Sequence, residues 1–121
     1  MRLAQIAQHA DDLDRAADFY TVLLESPPTA RFDEPGLVFF DLDGVRLLLD
    51  RGAPSSLIYL QVENVHESLE RLEGLAEVFT RPHVIFAHED ETLGPAGAEE
   101  WQAFIRDSEG NTVGLIAFQH A

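Results

Sequence analysis

Two arginines stand in short segments with the pattern of β-strands, and an arginine in a pocket can bind an anion. Arg46 lies two residues after Gly44, and Arg106 directly precedes Asp107. A guanidinium group donates two parallel hydrogen bonds, which match two oxygens of a carboxylate or phosphate. Both residues stand out because the chain has only 8 Lys and Arg. The alternative interpretation is that they form ion pairs with nearby acids such as Asp41 and Asp107.

Histidine is the other residue type in this chain that could supply acid–base or metal chemistry. His83 and His88 are five apart on a segment predicted to be extended, so they should point to opposite faces, at the surface or a cavity edge. His88 precedes Glu89-Asp90-Glu91, which could hold a cation weakly, although such an acidic run is also typical of a solvated loop. The chain has no cysteine, which excludes disulfides and thiol nucleophiles. The five histidines are His9, His66, His83, His88 and His120.

The first half of the chain is predicted to form a strand, a helix and three further strands. A short strand is expected between residues 3 and 10, and Asp11 or Asp12 is a suitable N-cap for the helix that follows. Pro27-Pro28 stops this helix, and strands are predicted at about 30–33, 37–41 and 45–50. We interpret Leu42-Asp43-Gly44 as a three-residue hairpin loop between the last two strands. One apolar helical face is formed by Leu13, Ala16, Ala17, Tyr20 and Leu24.

The second half repeats this order of elements. A strand at about 57–62 precedes Asn64, which caps a helix and forms a capping box with Glu67. Strands follow at about 77–86, 101–107 and 112–118, the last two joined through Ser108-Glu109-Gly110. Two tandem βαβββ modules therefore predict an α+β fold with a curved mixed sheet around a cleft. We expect one domain over residues 1–121, with module one at about 1–52 and module two at about 55–118.

Composition and charge narrow the possible partners. The 121 residues suffice for one core, and an apolar fraction of 45% excludes a disordered chain. The net charge of −14 is poorly suited to binding phosphates, so we expect neither nucleic acid nor a membrane surface as partner. No signal peptide or apolar stretch long enough to span a membrane is recognisable, which predicts a cytoplasmic protein.

Two motifs resemble those of the vicinal oxygen chelate superfamily, which includes glyoxalases, bleomycin resistance proteins and extradiol dioxygenases. The segment from Asp12 to Tyr20 is similar to the first helix of that family, and Asp107-Ser108-Glu109-Gly110-Asn111 resembles its Asp-Pro-Asp-Gly-Asn turn. The resemblance extends from Met1 to about Phe118 and implies the glyoxalase/bleomycin resistance fold. Because this fold serves isomerases, dioxygenases, thiol transferases and binding proteins, it implies no single activity.

The resemblance also identifies four positions where metal-dependent members hold one divalent ion. In this chain they are occupied by Gln5, Leu48, Leu57 and Gly114. Gln5 is a residue type that some glyoxalases use as a ligand, but the other three side chains cannot donate to a metal. A catalytic divalent ion requires about three protein ligands. We therefore expect no metal and no cofactor.

Strand alternation predicts which side chains share a face with those four positions. With three-residue loops, Phe40 should lie opposite Arg46 and Phe104 opposite Gly114. The resulting cleft has apolar walls and a few polar groups, as small-molecule pockets do, although a collapsed cleft is the alternative. The candidate ligand-binding residues are Gln5, His9, Phe40, Arg46, Leu48, Leu57, Tyr59, Gln61, Trp101, Phe104, Arg106 and Gly114.

Two features near the second module have more than one interpretation. The segment from Ala87 to Glu100 has no counterpart in the first module, and it could be a lid, a dimer arm or an exposed loop. Trp101, directly after it, is either a core residue or a stacking surface for a ring-bearing ligand.

Three functions are compatible with this sequence. We expect a metal-independent protein that binds a small organic molecule in its cleft. It either sequesters this molecule, as bleomycin resistance proteins do, or binds another ligand that the sequence does not identify. One alternative is a glyoxalase-like lyase or isomerase, in which His9 or Tyr59 does acid–base work and Arg46 or Arg106 stabilises an oxyanion. The other is a structural relic that binds no ligand. The exposed sheet edges favour a homodimer, and the family resemblance implies the same.

Overall fold

The computed structural model describes residues 1–120, so Ala121, the last residue of the predicted domain, lies outside the described residues. The order of helices and strands is βαβββ, repeated once, which confirms the predicted α+β fold. The elements are β1 (Gln5–His9), α1 (Leu13–Leu24), β2 (Ala30–Phe32), β3 (Leu37–Leu42), β4 (Val45–Asp50), β5 (Ile58–Gln61), α2 (Val65–Arg71), β6 (Glu77–Ala87), β7 (Ala98–Arg106) and β8 (Thr112–His120).

The described chain divides into two compact units. Unit 1 comprises residues 1–56 together with 107–111, and unit 2 comprises the rest. Each unit contains one four-stranded mixed sheet, with strand order β1-β4-β3-β2 in unit 1 and β5-β8-β7-β6 in unit 2. Neither α1 nor α2 has the length and apolar composition of a membrane-spanning helix. The expectation of one domain with a shared cleft stays a prediction.

Helix α1 begins where the sequence predicts. The Asp12 carboxylate accepts a hydrogen bond from the Arg15 N–H at 3.0 Å, which satisfies one of the unpaired amides of the first turn. At the other end, Glu25 adopts a left-handed conformation with φ of 55° and terminates the helix. The buried face of the helix covers one face of the unit 1 sheet, where Tyr20 and Phe40 bring their ring centroids to 6.3 Å.

The first β-hairpin differs from the prediction by one residue. Its loop contains only Asp43 and Gly44, with φ of 51° and 91°, and Leu42 pairs with Val45. A two-residue loop with positive φ at both positions has the twist that neighbouring strands need, and Asp-Gly is well suited to it. The predicted three-residue loop is therefore wrong. Because side chains alternate, the shift exchanges the two faces of β3 relative to β4.

The second hairpin agrees with the prediction. Arg106 pairs with Thr112 and Phe104 pairs with Gly114, as the sequence predicts. Between the strands, the Asp107 N–H donates to the Asn111 carbonyl at 2.9 Å. In unit 2, Asn64 caps α2 by accepting from the Glu67 N–H at 3.0 Å. Register and cap therefore confirm two local predictions for the second module.

The turn at 107–111 belongs to unit 1, where it contacts α1. The Tyr20 hydroxyl donates to Asp107 Oδ2 at 2.6 Å, and Arg15 Nε donates to Glu109 Oε2 at 2.7 Å. Burial and then the neighbouring Asp107 carboxylate raise the pKa of the Tyr20 phenol, so the phenol stays a donor. Desolvation raises the pKa of Glu109, but hydrogen bonds from Arg15, the Asp12 N–H and Ser108 outweigh it and lower the pKa to about 2.

Candidate functional site

A solvent-open pocket of about 710 Å³ lies in unit 1, at strands β2 to β4 and the segment that follows α1. Its volume is within the range of about 300–1,000 Å³ that is usual for ligand sites. Five of its residues come from paired positions on one sheet face: Ala30 pairs with Phe39, Asp41 pairs with Arg46, and Phe32 follows two residues after Ala30. We call it the Arg46 pocket, and it is lined by Ser26, Thr29, Ala30, Phe32, Phe39, Phe40, Asp41 and Arg46.

The Arg46 side chain contacts an aromatic ring of this pocket. Its guanidinium carbon lies 5.6 Å from the centroid of the Phe39 ring, within reach of a cation–π interaction. Asp41 is directly opposite Arg46 in the strand ladder, but Asp41 Oδ1 accepts from the Gly44 N–H at 3.1 Å. Among the described residues no carboxylate forms an ion pair with Arg46. The predicted pairing of Arg46 with nearby acids is therefore not seen.

The one-residue shift of the first hairpin changes which phenylalanine shares a face with Arg46. Phe40 pairs with Leu47, faces Tyr20 of α1, and is 1% exposed. Its predicted position opposite Arg46 is wrong. Phe39 lies on the Arg46 face instead, and its ring meets that of Phe32 edge-to-face at 6.1 Å. A correct assignment of Asp43-Gly44 as a two-residue turn would have identified Phe39 from the sequence.

Three other predicted residues of unit 1 lie on the same sheet face as Arg46. Gln5 pairs with Arg46 directly, and His9 pairs with Asp50 at the far end of β1. Leu48 lies between them on β4, opposite Phe39, and is 8% exposed. This face therefore carries the residues that strand alternation predicts, apart from Phe40. Whether Gln5, His9 and Leu48 bind a ligand stays a prediction.

Both ring nitrogens of His9 are engaged. Nδ1 donates to the Ala53 carbonyl at 2.9 Å, and Nε2 donates to Asp11 Oδ1 at 2.8 Å. Because both partners can only accept, the doubly protonated imidazolium satisfies them best. The hydrogen bond to Asp11 raises the pKa of His9 above 6.5, against a smaller opposing effect of desolvation. A histidine whose two ring nitrogens both meet acceptors is held in place at Ala53 and Asp11, and it is poorly suited to act as a base.

In unit 2, Tyr59 and Gly114 are directly paired, and Phe104 pairs with Gly114 from the other side. The Tyr59 ring lies edge-to-face with the Phe104 ring at 5.7 Å. A Cβ atom at position 114 would stand 2.6 Å from Tyr59 Cδ2, which is closer than atoms pack. The Tyr59 ring thus occupies the space into which a side chain at position 114 would project.

Three further predicted ligand-binding residues lie in unit 2: Arg106 contacts an aromatic ring, whereas Leu57 and Gln61 are exposed near the ends of β5. Arg106 lies over the Phe79 ring at 4.5 Å and donates to Thr112 Oγ1 at 3.4 Å. Leu57 precedes β5 and is 53% exposed, and Gln61 at the end of β5 is also exposed. Their role in ligand binding stays a prediction.

Trp101 lies on the opposite side of the unit 2 sheet from Phe104. It pairs with Ala117, which is fully buried, and its ring lies 5.1 Å from that of His66 on α2. This arrangement corresponds to the core interpretation of Trp101 and places its ring away from the face of Tyr59 and Phe104. The predicted role of Trp101 as a ligand-stacking surface is therefore not supported by its position.

One buried cluster was missed by the sequence analysis. His88 Nε2 donates to Glu100 Oε1 at 2.9 Å, Gln102 donates to Glu100 Oε2 at 2.6 Å, and the His88 ring packs against Phe118. A Cβ at Gly94 would come within 3.0 Å of His88 and Phe118 atoms, so the loop after β6 folds closely onto them. The sequence analysis considered only the acids adjacent to His88, whereas its partner Glu100 lies twelve residues later, on the other strand of a hairpin.

The four positions implied for a metal do not fit a divalent ion. Gln5 is the single oxygen or nitrogen donor among them, and Tyr59 fills the space at Gly114. Within residues 1–120 there is no group of three or more His, Cys, Asp or Glu side chains with metal-binding geometry. Divalent catalytic ions need about three such ligands. The donor chemistry therefore disagrees with a metal centre of the kind that the resemblance implies.

Comparison with known proteins identifies the fold. No family model and no curated protein matches the sequence. Among solved structures, a lactoylglutathione lyase from Agrobacterium tumefaciens is 25% identical, with a TM-score of 0.67 over 96% of this chain and 92% of that chain. A glyoxalase/bleomycin resistance protein from Albidiferax ferrireducens is 16% identical, with a TM-score of 0.65 over 95% and 98%.

A third structure extends the comparison. A glyoxalase-related enzyme from Fulvimarina pelagi is 18% identical and has a TM-score of 0.68, covering 96% of this chain and 87% of that chain. All three similarities extend over nearly the whole chain, and at these identities they establish architecture rather than activity. The chain therefore has the glyoxalase/bleomycin resistance fold of the vicinal oxygen chelate superfamily.

Proposed function

We propose that this protein binds a small organic molecule in the Arg46 pocket, without a divalent metal ion. The observation that carries this proposal is a pocket of about 710 Å³ that combines aromatic walls with an arginine that has no ion pair among the described residues. Apolar walls with a few polar groups are typical of sites for small molecules. A relic without a ligand site would be expected to lack such a cavity.

The absence of a suitable donor set supports metal independence. Three of the four positions implied for ligands cannot donate, and the Tyr59 ring lies where a side chain at position 114 would extend. The alternative of a glyoxalase-like lyase or isomerase using His9 as base is less well supported, because both His9 nitrogens donate to acceptors. The proposal is thus a binding protein that uses the fold without its metal chemistry.

We also propose that two copies associate through strand β6. This strand is an edge of the unit 2 sheet, is 11 residues long, and exposes Val84, Ile85 and Phe86. Residues 78–88 contain no acidic side chain although the chain has 22. Because copies that each carry a net charge of −14 repel one another, a segment without acids is the more favourable place for an interface between them. An exposed edge of this kind is available for pairing with a second copy.

Fragment binding followed by amide NMR tests the proposed pocket. A set of planar fragments in anionic, neutral and cationic forms is titrated into ¹⁵N-labelled protein. We expect saturable shifts at the amides of Phe32, Phe39 and Arg46. Phe39→Ala should weaken binding about fivefold or more, because it removes an aromatic wall.

The matched control is Phe79→Ala. Phe79 also lies beneath an arginine, but in unit 2, outside the Arg46 pocket. This variant should leave fragment binding unchanged. Shifts centred on Tyr59 and Phe104, or no saturable shift with any fragment, would contradict the proposal, and the second result would favour the relic.

A further inference from the structure

The chemistry around Arg46 narrows the ligand class, an inference that rests on the proposed function of the pocket. We propose that the Arg46 pocket binds a planar organic carboxylate, with Arg46 on the carboxylate and Phe39 and Phe32 against the ring. This ligand class is opposite in charge to the cationic molecules that the acidity of the whole chain would suggest. The charge of the preferred ligand is set by the contacts inside the pocket, because the net charge of the protein acts over a longer distance and is screened by salt.

Within residues 1–120, Arg46 lacks the ion pairs that two other arginines of this acidic protein form with carboxylates. Arg15 forms an ion pair with Glu109 at 2.7 Å, and Arg31 forms ion pairs with Asp14 at 2.6 Å and Asp33 at 3.2 Å. Arg46 has no such pair among the described residues, although Asp41 stands directly opposite. A cation that remains unpaired among so many carboxylates leaves its hydrogen-bond donors available to a ligand anion.

A hydrogen bond within the hairpin explains why Asp41 does not neutralise Arg46. Asp41 Oδ1 accepts from the Gly44 N–H, which fastens the two-residue turn of the β3–β4 hairpin. This bond directs the carboxylate along its own strand towards the turn. The guanidinium lies over the Phe39 ring instead, which keeps it at the pocket wall. Asp41 thus stabilises the turn, whereas Arg46, opposite it in the ladder, lines the pocket.

The polar lining favours a carboxylate over a phosphate. Arg46 is the single cationic side chain of the pocket, and its other polar lining residues are Ser26, Thr29 and Asp41. One guanidinium matches one carboxylate through two parallel hydrogen bonds. A phosphate dianion would need further cationic donors, and the neighbouring Asp41 and the net charge of −14 both repel a second negative charge.

The aromatic walls favour a planar body for the ligand. The Phe32 and Phe39 rings stand edge-to-face at 6.1 Å, and Phe32 is 51% exposed although it is a large apolar side chain. An exposed aromatic beside an unpaired arginine can cover the ring of a ligand while the arginine holds its anionic end. Rings of this kind prefer offset or edge-to-face contacts with other rings.

Isothermal titration with 2-naphthoate and its uncharged counterpart 2-naphthamide tests the charge requirement directly. The two probes share the ring system and differ in the carboxylate. We expect 2-naphthoate to bind at least about tenfold more tightly, since a charge-assisted bidentate contact is lost in the amide. Naphthyl phosphate should bind more weakly than 2-naphthoate. The cationic probe 2-naphthamidine should bind weakest.

Two variants that each remove one positive charge distinguish a direct contact of Arg46 with the ligand from the effect of the protein's net charge. Arg46→Gln should reduce the affinity for 2-naphthoate about tenfold or more and leave 2-naphthamide unchanged. Arg81→Gln, which removes one positive charge from the exposed strand β6, should change neither affinity appreciably. Equal effects of both variants would mean that the net charge rather than Arg46 governs binding, which overturns the inference.

The outcomes also distinguish this inference from the proposed function. If 2-naphthamide or 2-naphthamidine binds as tightly as 2-naphthoate and shifts the Phe39 amide, the pocket is a ligand site but the anion class is wrong. If no probe binds and no fragment shifts Phe39, both the inference and the proposed function fail.

Discussion

Individual side chains in this protein divide into those held by neighbouring groups and those left open to solvent. His9 is held at both ring nitrogens, and Glu100 accepts from both His88 and Gln102. Arg46, by contrast, lines a pocket and contacts the Phe39 ring, and it forms no ion pair among the described residues. His9 and His88, two of the histidines that could supply acid–base chemistry, are therefore already held by hydrogen bonds. The side chain available to a ligand is an arginine.

The His9 contact predicts a pH-dependent contribution to stability. Because the folded state raises the pKa of His9 above 6.5, the protonated ring stabilises the fold below the unfolded pKa, and this contribution disappears as pH rises through the folded pKa. The difference in unfolding free energy between wild type and His9→Gln should therefore be larger at about pH 5.5 than at about pH 9. Urea unfolding at several pH values measures it.

Asp11→Asn provides the control for this prediction. It removes the acceptor that contributes most to the raised pKa of His9, so the pH dependence of the difference should shrink. A difference between wild type and His9→Gln that is constant with pH would show that the ring is not held as an imidazolium.

The close contact between Tyr59 and Gly114 predicts that even a methyl side chain at position 114 lowers the stability of the fold. Gly114→Ala places a Cβ 2.6 Å from the Tyr59 ring and should destabilise by about 1–3 kcal/mol, the usual cost of overpacking. Gly52→Ala, whose Cβ would meet Asp50 Oδ1 at an ordinary 3.5 Å, should change stability little. In the double variant with Tyr59→Ala the cost of Gly114→Ala should fall, and full additivity would refute the contact.

At the scale of elements, the two motifs that carry the family resemblance meet within unit 1. Helix α1 supplies Tyr20 and Arg15, and the turn at 107–111 supplies Asp107 and Glu109. Asn111 adds a hydrogen bond from Nδ2 to the His9 carbonyl at 2.7 Å. These contacts give the motifs a structural role, since they fix a turn against a helix. The motifs are therefore informative about the fold and silent about the ligand.

The Tyr20–Asp107 bond predicts a measurable loss when its hydroxyl is removed. Tyr20→Phe should lower the unfolding free energy by about 1.5–3 kcal/mol, because the buried Asp107 carboxylate loses a donor. Tyr59→Phe removes the hydroxyl of a tyrosine that is 47% exposed and should change stability by less than about 0.5 kcal/mol. Equal effects of the two variants in urea unfolding would contradict the assigned role of Asp107.

Element positions could be predicted from the sequence better than strand register. Helix α1 begins as predicted, because the N-cap and the apolar spacing are local signals, but it ends at Leu24, before the predicted stop at Pro27-Pro28, because Glu25 adopts a left-handed conformation. Register in the first hairpin depends on the length of one turn. The predicted three-residue loop placed Phe40 on the Arg46 face, whereas the two-residue turn of the structure puts Phe40 on the helix face and Phe39 beside Arg46. The His88–Glu100 pair joins residues across a hairpin whose ends the sequence does not mark clearly. Local patterns predict elements, whereas pairing across a loop requires knowing where that loop begins.

At the scale of the whole molecule, charge and apolar surface are distributed unevenly. Acidic residues are abundant along the chain, but residues 78–88, which include all of β6 after Glu77, have none and expose several large apolar side chains. A surface of this kind on an otherwise strongly acidic protein is suited to association. The proposed homodimer therefore depends on β6, while the proposed ligand site lies in unit 1.

Charge inserted into β6 should weaken the dimer. Ile85→Lys places a cation on the exposed strand and should raise the dimer dissociation constant about tenfold or more in sedimentation equilibrium, since it must be desolvated on association. Val22→Lys, on the exposed face of α1, should leave the constant unchanged. A wild-type monomer at all concentrations, or dimers equally stable in Ile85→Lys, would contradict the proposed interface.

The central claim is that a ligand binds in the Arg46 pocket without a divalent ion. The most direct test is an amide NMR titration of EDTA-treated protein with the tightest-binding planar fragment. We predict saturable shifts at Phe39 and Arg46 in the presence of EDTA, with unchanged affinity when Zn²⁺, Ni²⁺ or Mn²⁺ replaces it. Binding that appears only after a divalent ion is restored would contradict the claim and return a metal to the chemistry of this fold.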